Sequence, residues 1–242
     1  MKNRHVLVWL VATICLLFTV GASGRGEAGF LGFGGDSWKE EVLLHDGSKM
    51  VVERMVERGG RHEVGQKPPY KEQRLSFALP GAKQTITWED HYSQDLGQAN
   101  FLPMALDISG GTPYLVAYPM GCLSYNKWGR PNPPYVVFQY QGKEWTRIPL
   151  QELPAEIKTP NVIFSMPDIQ VERFGTRFIT VEMIKGVIDG YQQPEFKTIL
   201  RESVKPGSEG SAVNCEEMIH YKCGWISLQG TFGRDFMDKT CK

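Results

Sequence analysis

From Ser37 onward, short apolar runs alternate with turns rich in Gly, Pro and Asp, and the spacing predicts a series of hairpins. WKEEVLL (38–44) and KMVVERMV (49–56) flank His45-Asp46-Gly47. Asp-Gly between apolar runs favours a type I′ turn, which needs positive φ at both central residues. Gly59 to Tyr70 is a polar loop. Leu75, Phe77 and Leu79 then alternate, Pro80-Gly81 turns the chain, and Thr85 to Trp88 returns as a second hairpin. Leu102 to Ile108 and Pro113 to Tyr118 flank Gly110-Gly111 as a third. Tyr135 to Tyr140 and Glu144 to Leu150 flank Gln141-Gly142 as a fourth. Ile169 to Phe174 and Arg177 to Lys185 flank Gly175-Thr176 and are expected to form a fifth.

Helical spacing is scarcer. Phe196, Ile199, Leu200 and Val204 share a helical period behind Pro194 and Glu195, both suited to a first turn. NCEEMIHY (214–221) predicts a short tail helix, with Asn214 as N-cap and Glu216 and Glu217 against the helix dipole. Lys205 to Ser211 reads as a linker. The fold class expected is mainly β: an antiparallel sandwich or barrel-like domain with a short helical, cysteine-containing C-terminal segment. A propeller would show clearer repeats. The phrases PYLV (113–116) and PYVV (134–137) echo each other only once.

The front of the chain is different. Lys2 and Arg4 precede an uncharged run from Val6 to Val20, and Gly21-Ala22-Ser23 follows. That is the pattern of a secretory signal peptide. A membrane span takes about 20 apolar residues, so an uncleaved inner-membrane anchor is the alternative. Cys15 follows Ile14 where lipid attachment wants a small residue, which argues against a lipoprotein. The expected divisions are a signal peptide over 1–23, a flexible Gly-rich leader over 24–36, a β-rich domain over 37–206 and a disulfide-tied segment over 207–242. The leader's glycines lack the Lys-Ser/Thr ending of a phosphate loop.

Composition narrows the function classes. The 242 residues are 41% hydrophobic and 22% charged, enough to bury a core and too apolar for disorder. Lys+Arg and Asp+Glu are equal at 27 each, so no basic excess points to nucleic acid.

With Cys15 removed, Cys122, Cys215, Cys223 and Cys241 remain, an even set that reads as two disulfides in an exported chain. Cys122 must then bridge to the tail, closing a loop of about 100 residues worth roughly 4–5 kcal/mol in the chain-entropy model. An unbroken helix from Asn214 to Cys223 would hold Cys215 and Cys223 about 12 Å apart, beyond the roughly 7 Å a disulfide allows. Cys122–Cys215 with Cys223–Cys241, or Cys122–Cys223 with Cys215–Cys241, are left. Cys215, His220, Cys223 and Cys241 are also a tetrahedral zinc set by ligand type, without the usual Cys-x2-Cys knuckle.

No nucleophile elbow, His-Glu-x-x-His helix or calcium loop occurs, so no catalytic residue is singled out and no cofactor is expected. The neighbours His62-Glu63 and Asp90-His91 read as solvated polar residues, and Asp107 and Asp189 as turn residues. The densest unusual stretch is GCLSYNKWGRPNPP (121–134). Tyr125, Trp128, Arg130 and Asn132 there, tied down by Cys122 and proline, suit a binding loop. The competing expectation is that Trp128 and Tyr125 cap the core. The sequence thus predicts an exported non-enzymatic protein, periplasmic or secreted, that binds a protein or cell-envelope component. The alternatives are an envelope glycan or peptide hydrolase and an N-terminally anchored structural protein.

Overall fold

The computed structural model describes residues 35–60, 62–79, 84–207 and 210–241. The expected signal peptide and nearly all of the leader lie outside them. Alternation builds the first sheet: in β1 (Asp36–Leu43) Trp38, Glu40 and Val42 are buried and their neighbours are not. β1 pairs antiparallel with β2 (Lys49–Arg58), β2 with β3 (Tyr70–Ala78) and β3 with β4 (Thr85–Asp90). The β1–β2 turn stands where predicted but not in the type I′ form: of Asp46 and Gly47 only Gly47 has positive φ, 83°, the Leu44 amide reaches the Ser48 carbonyl at 2.9 Å, and the Asp46 carboxylate accepts from the Ser48 amide at 2.8 Å.

A second antiparallel sheet follows in simple order: β5 (Phe101–Ser109), β6 (Thr112–Pro119), β7 (Val136–Gln141) and β8 (Glu144–Ile148). Val42, Val52, Leu75 and Trp88 from the first sheet pack against Leu106, Leu115, Val136 and Phe138 from the second. The two sheets therefore face each other as a sandwich. The other face of the second sheet is also buried. Met104, Tyr118 and Val137 lie under Phe164, Ile199 and Val213 of the chain that follows.

The expected fifth hairpin is corrected. Residues 167–189 form α2 (Pro167–Phe174) and α3 (Val181–Asp189), with a two-residue strand β9 (Phe178–Ile179) running parallel to β1. The β-branched residues suggested strands, but the punctuation is helical. Pro167 opens α2, Gly175 closes it in the left-handed conformation, and Thr180 caps α3 by accepting from the Met183 amide. Ile184 and Ile188, one turn apart, are the buried face of α3.

Two further expectations are corrected. The helix from Pro194 is a single turn, α4 (Pro194–Lys197). Beyond it the chain is extended, because the Ile199 amide reaches the Lys158 carbonyl at 2.7 Å. No helix covers 214–221; that stretch enters β10 (Met218–Tyr221), which pairs with β11 (Gly224–Ser227) around Lys222 at φ 52°. The tail helix lies later, as α5 (Thr231–Thr240). Part of the expected loop is helical too, α1 (Gly121–Lys127).

Candidate functional site

The four described cysteines form two bonds. Cys122 joins Cys215 with Cα atoms 5.4 Å apart, and Cys223 joins Cys241 at 5.7 Å. This is one of the two pairings left open, although the helix invoked to reject Cys215–Cys223 is absent. With every ligand thiol of the zinc set in a disulfide, that set is not assembled. His220 instead lies edge-on to Trp225, 5.5 Å between ring centres. Among the described residues no group of His, Cys, Asp and Glu is arranged to hold a metal ion. Two disulfides indicate an oxidising, exported compartment.

The stretch 121–134 does not stand free as a contact loop; it grips the chain's own tail. Tyr125 is buried, its hydroxyl pushed up by desolvation, with the Arg130 guanidinium 5.0 Å from its ring centre. Arg130 donates to the carbonyls of Cys215 at 2.8 Å and Glu216 at 3.1 Å, and to the Asn126 side chain at 3.0 Å. Asn126 in turn accepts from the Met218 amide at 2.8 Å. Asn132 exchanges two bonds with the Val204 backbone, at 3.0 and 2.7 Å. Trp128 packs on the core 4.6 Å from the Phe101 ring and donates to Asn100 at 3.3 Å. All four candidate residues are thus engaged inside the fold.

Beside this stretch a groove of about 430 Å³ opens where β7 begins and β8 ends. Pro131 and Pro133 form one wall, and Pro149, Leu150 and Gln151 the other. Among the described residues Arg147 is the one charged residue that lines it. It donates to the Trp128 carbonyl at 3.1 Å and lies 5.5 Å from the Trp128 ring centre. The segments meet because β7 and β8 pair Val137 with Ile148, which brings the flanks of that hairpin together.

A second cavity, about 480 Å³, is lined by Asp36, Lys67, Asp168, Glu172 and Arg177 among others. Its charges are matched: Lys67 meets Glu172 at 3.5 Å and Arg177 meets Asp36 at 3.2 Å. Asp168 takes both Arg58 Nε at 2.6 Å and the Tyr70 hydroxyl. Although burial opposes it, those bonds hold the Asp168 carboxyl below its ordinary value, and burial drives the Tyr70 hydroxyl far up. This cavity offers a ligand no uncompensated charge.

The acid and histidine pairs are not sites. His62 is exposed, and His91 is exposed beside Glu72 at 2.6 Å. Asp90 is buried and accepts from the amides of Asn100 and Phe101 and from the Asn100 side chain. Burial pushes it up to about 6, against those donors. Asp189 ends α3 and is exposed. Asp107 is no mere turn residue. It is buried and holds His45 Nδ1 at 2.7 Å, a bond that raises the His45 pKa above its ordinary value. Nothing in the sequence marks that pair, since 62 residues separate its members.

Compared with known protein families, curated proteins and solved structures, the chain matches none. No helix among the described residues is long and apolar enough to cross a membrane.

Proposed function

We propose that this is an exported, non-enzymatic protein, periplasmic or secreted, that binds a partner in the groove between 131–137 and 147–151. The carrying observation is Arg147. Among the described residues it is the groove's single charge, no acidic residue lines the groove, and it donates a hydrogen bond to a backbone carbonyl. The stretch 121–134 serves this site as scaffold, since Cys122, Arg130 and Asn132 fix the groove wall to the tail. A rigid wall lowers the ordering cost of binding. The hydrolase alternative has the His45–Asp107 pair in its favour, yet neither cavity is lined by either residue.

The test is a photo-crosslinking amino acid placed at exposed Gln151 in the native exporting host, with Glu53 on the outer sheet face as control. A discrete adduct at Gln151 and none at Glu53 is expected, and its mass tells a protein from an envelope glycan. No adduct at Gln151, or the same adducts at both positions, overturns the reading.

A further inference from the structure

The second sheet has two edge strands, and the fold treats them differently. Along β5 the edge is covered. The Met104 carbonyl accepts from the amides of Asn161 and Val162 at 3.0 and 3.3 Å. The Asn161 side chain brackets the Leu106 backbone with bonds of 2.9 and 2.8 Å. At the edge of the first sheet, the Thr87 carbonyl of β4 is taken by the Trp145 indole at 2.8 Å. Along β8, no described segment other than β7 bonds to the backbone of Glu144 to Ile148.

The turn fixes which groups that edge presents. Gly142 and Lys143 have φ of 60° and 75°, the left-handed pair of a two-residue type I′ turn. Such a turn is closed by a hydrogen-bonded pair, here Gln141 and Glu144. Antiparallel alternation then turns the N–H and C=O of Trp145 and Arg147 away from β7. A row of unpaired groups is a template for another strand. The groove opens at the C-terminal end of the same strand, through Arg147, Ile148 and Pro149.

We infer that the partner is a protein segment that binds in extended form, adding to β8 as a further strand and placing an acidic side chain beside Arg147. This rests on the binding reading of the groove given above. Charged Glu144 and Arg147 and terminal Pro149 keep the template short, which protects the edge against indiscriminate pairing. Backbone pairing then supplies affinity, and the groove with its lone cation supplies selectivity.

Displayed libraries of short linear peptides, panned against the disulfide-intact full chain, test this. The expected binders are acidic and are weakened about tenfold or more by Arg147→Glu. Synthesised with single N-methyl groups, they lose about tenfold or more at alternate amides and little at the amides between. The Trp145 and Arg147 amides gain hydrogen-exchange protection on binding. Peptides that need the groove, shown by loss with Leu150→Arg, yet tolerate N-methylation everywhere overturn strand addition and leave the groove reading standing. A selection giving no peptide sensitive to Arg147→Glu or Leu150→Arg overturns both.

Discussion

Residues 36–150 and residues 151–241 are held in place by different kinds of contact. In the first region successive strands pair within each sheet, β1 with β2, β5 with β6 and β7 with β8 around short turns, and β2 with β3 and β6 with β7 across longer loops. The second has little sheet of its own and is fastened to the first by single, distant bonds. Asn161 reaches Leu43 and Leu106, Tyr135 catches Glu195, Asn132 holds Val204, and Arg130 holds Cys215. Local pairing needs only propensity and turns, whereas distant clips need the whole fold before any one of them is worth its ordering entropy. Loss of a single clip should therefore loosen the second region more than the hairpins of the first.

The largest expected effect comes from the longest clip. Replacing Cys122 and Cys215 together by serine should cost roughly 4–5 kcal/mol in the chain-entropy account of a loop of about 90 residues. Hydrogen exchange should show 204–241 opening while the hairpins keep their protection. Equal loss of protection in both regions would show that they are not held differently.

Nearly as large is the buried pair Glu40–Arg54. Glu40 accepts from Trp38 at 2.7 Å and from the Ile163 amide at 3.1 Å, and Arg54 donates to the Ile163 carbonyl at 3.2 Å. The pair ties the first sheet to the second region from inside. Glu40→Ala leaves a guanidinium buried without its counter-charge and should cost about 3–5 kcal/mol in denaturant unfolding. Replacing both by Leu and Met should cost far less, because the penalty lies in the orphaned charge. A double variant as unstable as the single one would show that the Ile163 bonds dominate instead.

Asp90 sharpens the comparison through pH. Burial pushes it from 3.8 up to about 6, so the folded chain holds that proton more tightly than the unfolded chain. Its contribution is fully present below about pH 4 and is lost as pH rises through about 6, a change of roughly 3 kcal/mol at about 1.4 per pH unit. The stability of Asp90→Asn should therefore lose that fall between pH 4 and 6. An unchanged slope in the variant would assign it to other groups. His45, raised by its bond to Asp107, loses its contribution at higher pH, as the pH climbs past its folded value.

The contrast also explains what was legible in advance. Asp46-Gly47, Gly110-Gly111 and Gln141-Gly142 mark turns by chemistry that acts over a few residues, and each stands where it was read. The segment 167–189 departs from the expected hairpin because Pro167, Gly175 and Thr180, which are helix punctuation, outweigh its Ile and Val richness. The tail departs from the expected helix because Lys222 turns the chain with a positive φ that no glycine marks. The four cysteines were visible, and their pairing only to within two choices. Of the candidate loop, the residues were legible but their engagement with 204–218 was not, as nothing local encodes a contact across 70 to 90 residues. The groove was half legible. The fourth hairpin brings 131–137 alongside 147–151, whereas the packing of Trp128 against the core and under Arg147 shows only in the fold.

The smallest expected effect sets two hairpins of one sheet against each other. The β5–β6 turn uses Gly110 and Gly111, with φ of 57° and 79°, at no steric cost. The β7–β8 turn puts Lys143, an exposed residue with a Cβ, at φ 75°. A side chain there carries a penalty of about 1 kcal/mol, offset in part because glycine loosens the unfolded chain. Lys143→Gly should therefore raise stability by no more than roughly 0.5 kcal/mol, seen as a small shift of the denaturant midpoint at constant slope. The corresponding change at the other turn, Gly111→Lys, should lower stability by a similar amount. If Lys143→Gly instead destabilises the chain, the lysine side chain makes a contact that compensates its backbone, and the two turns differ in more than strain.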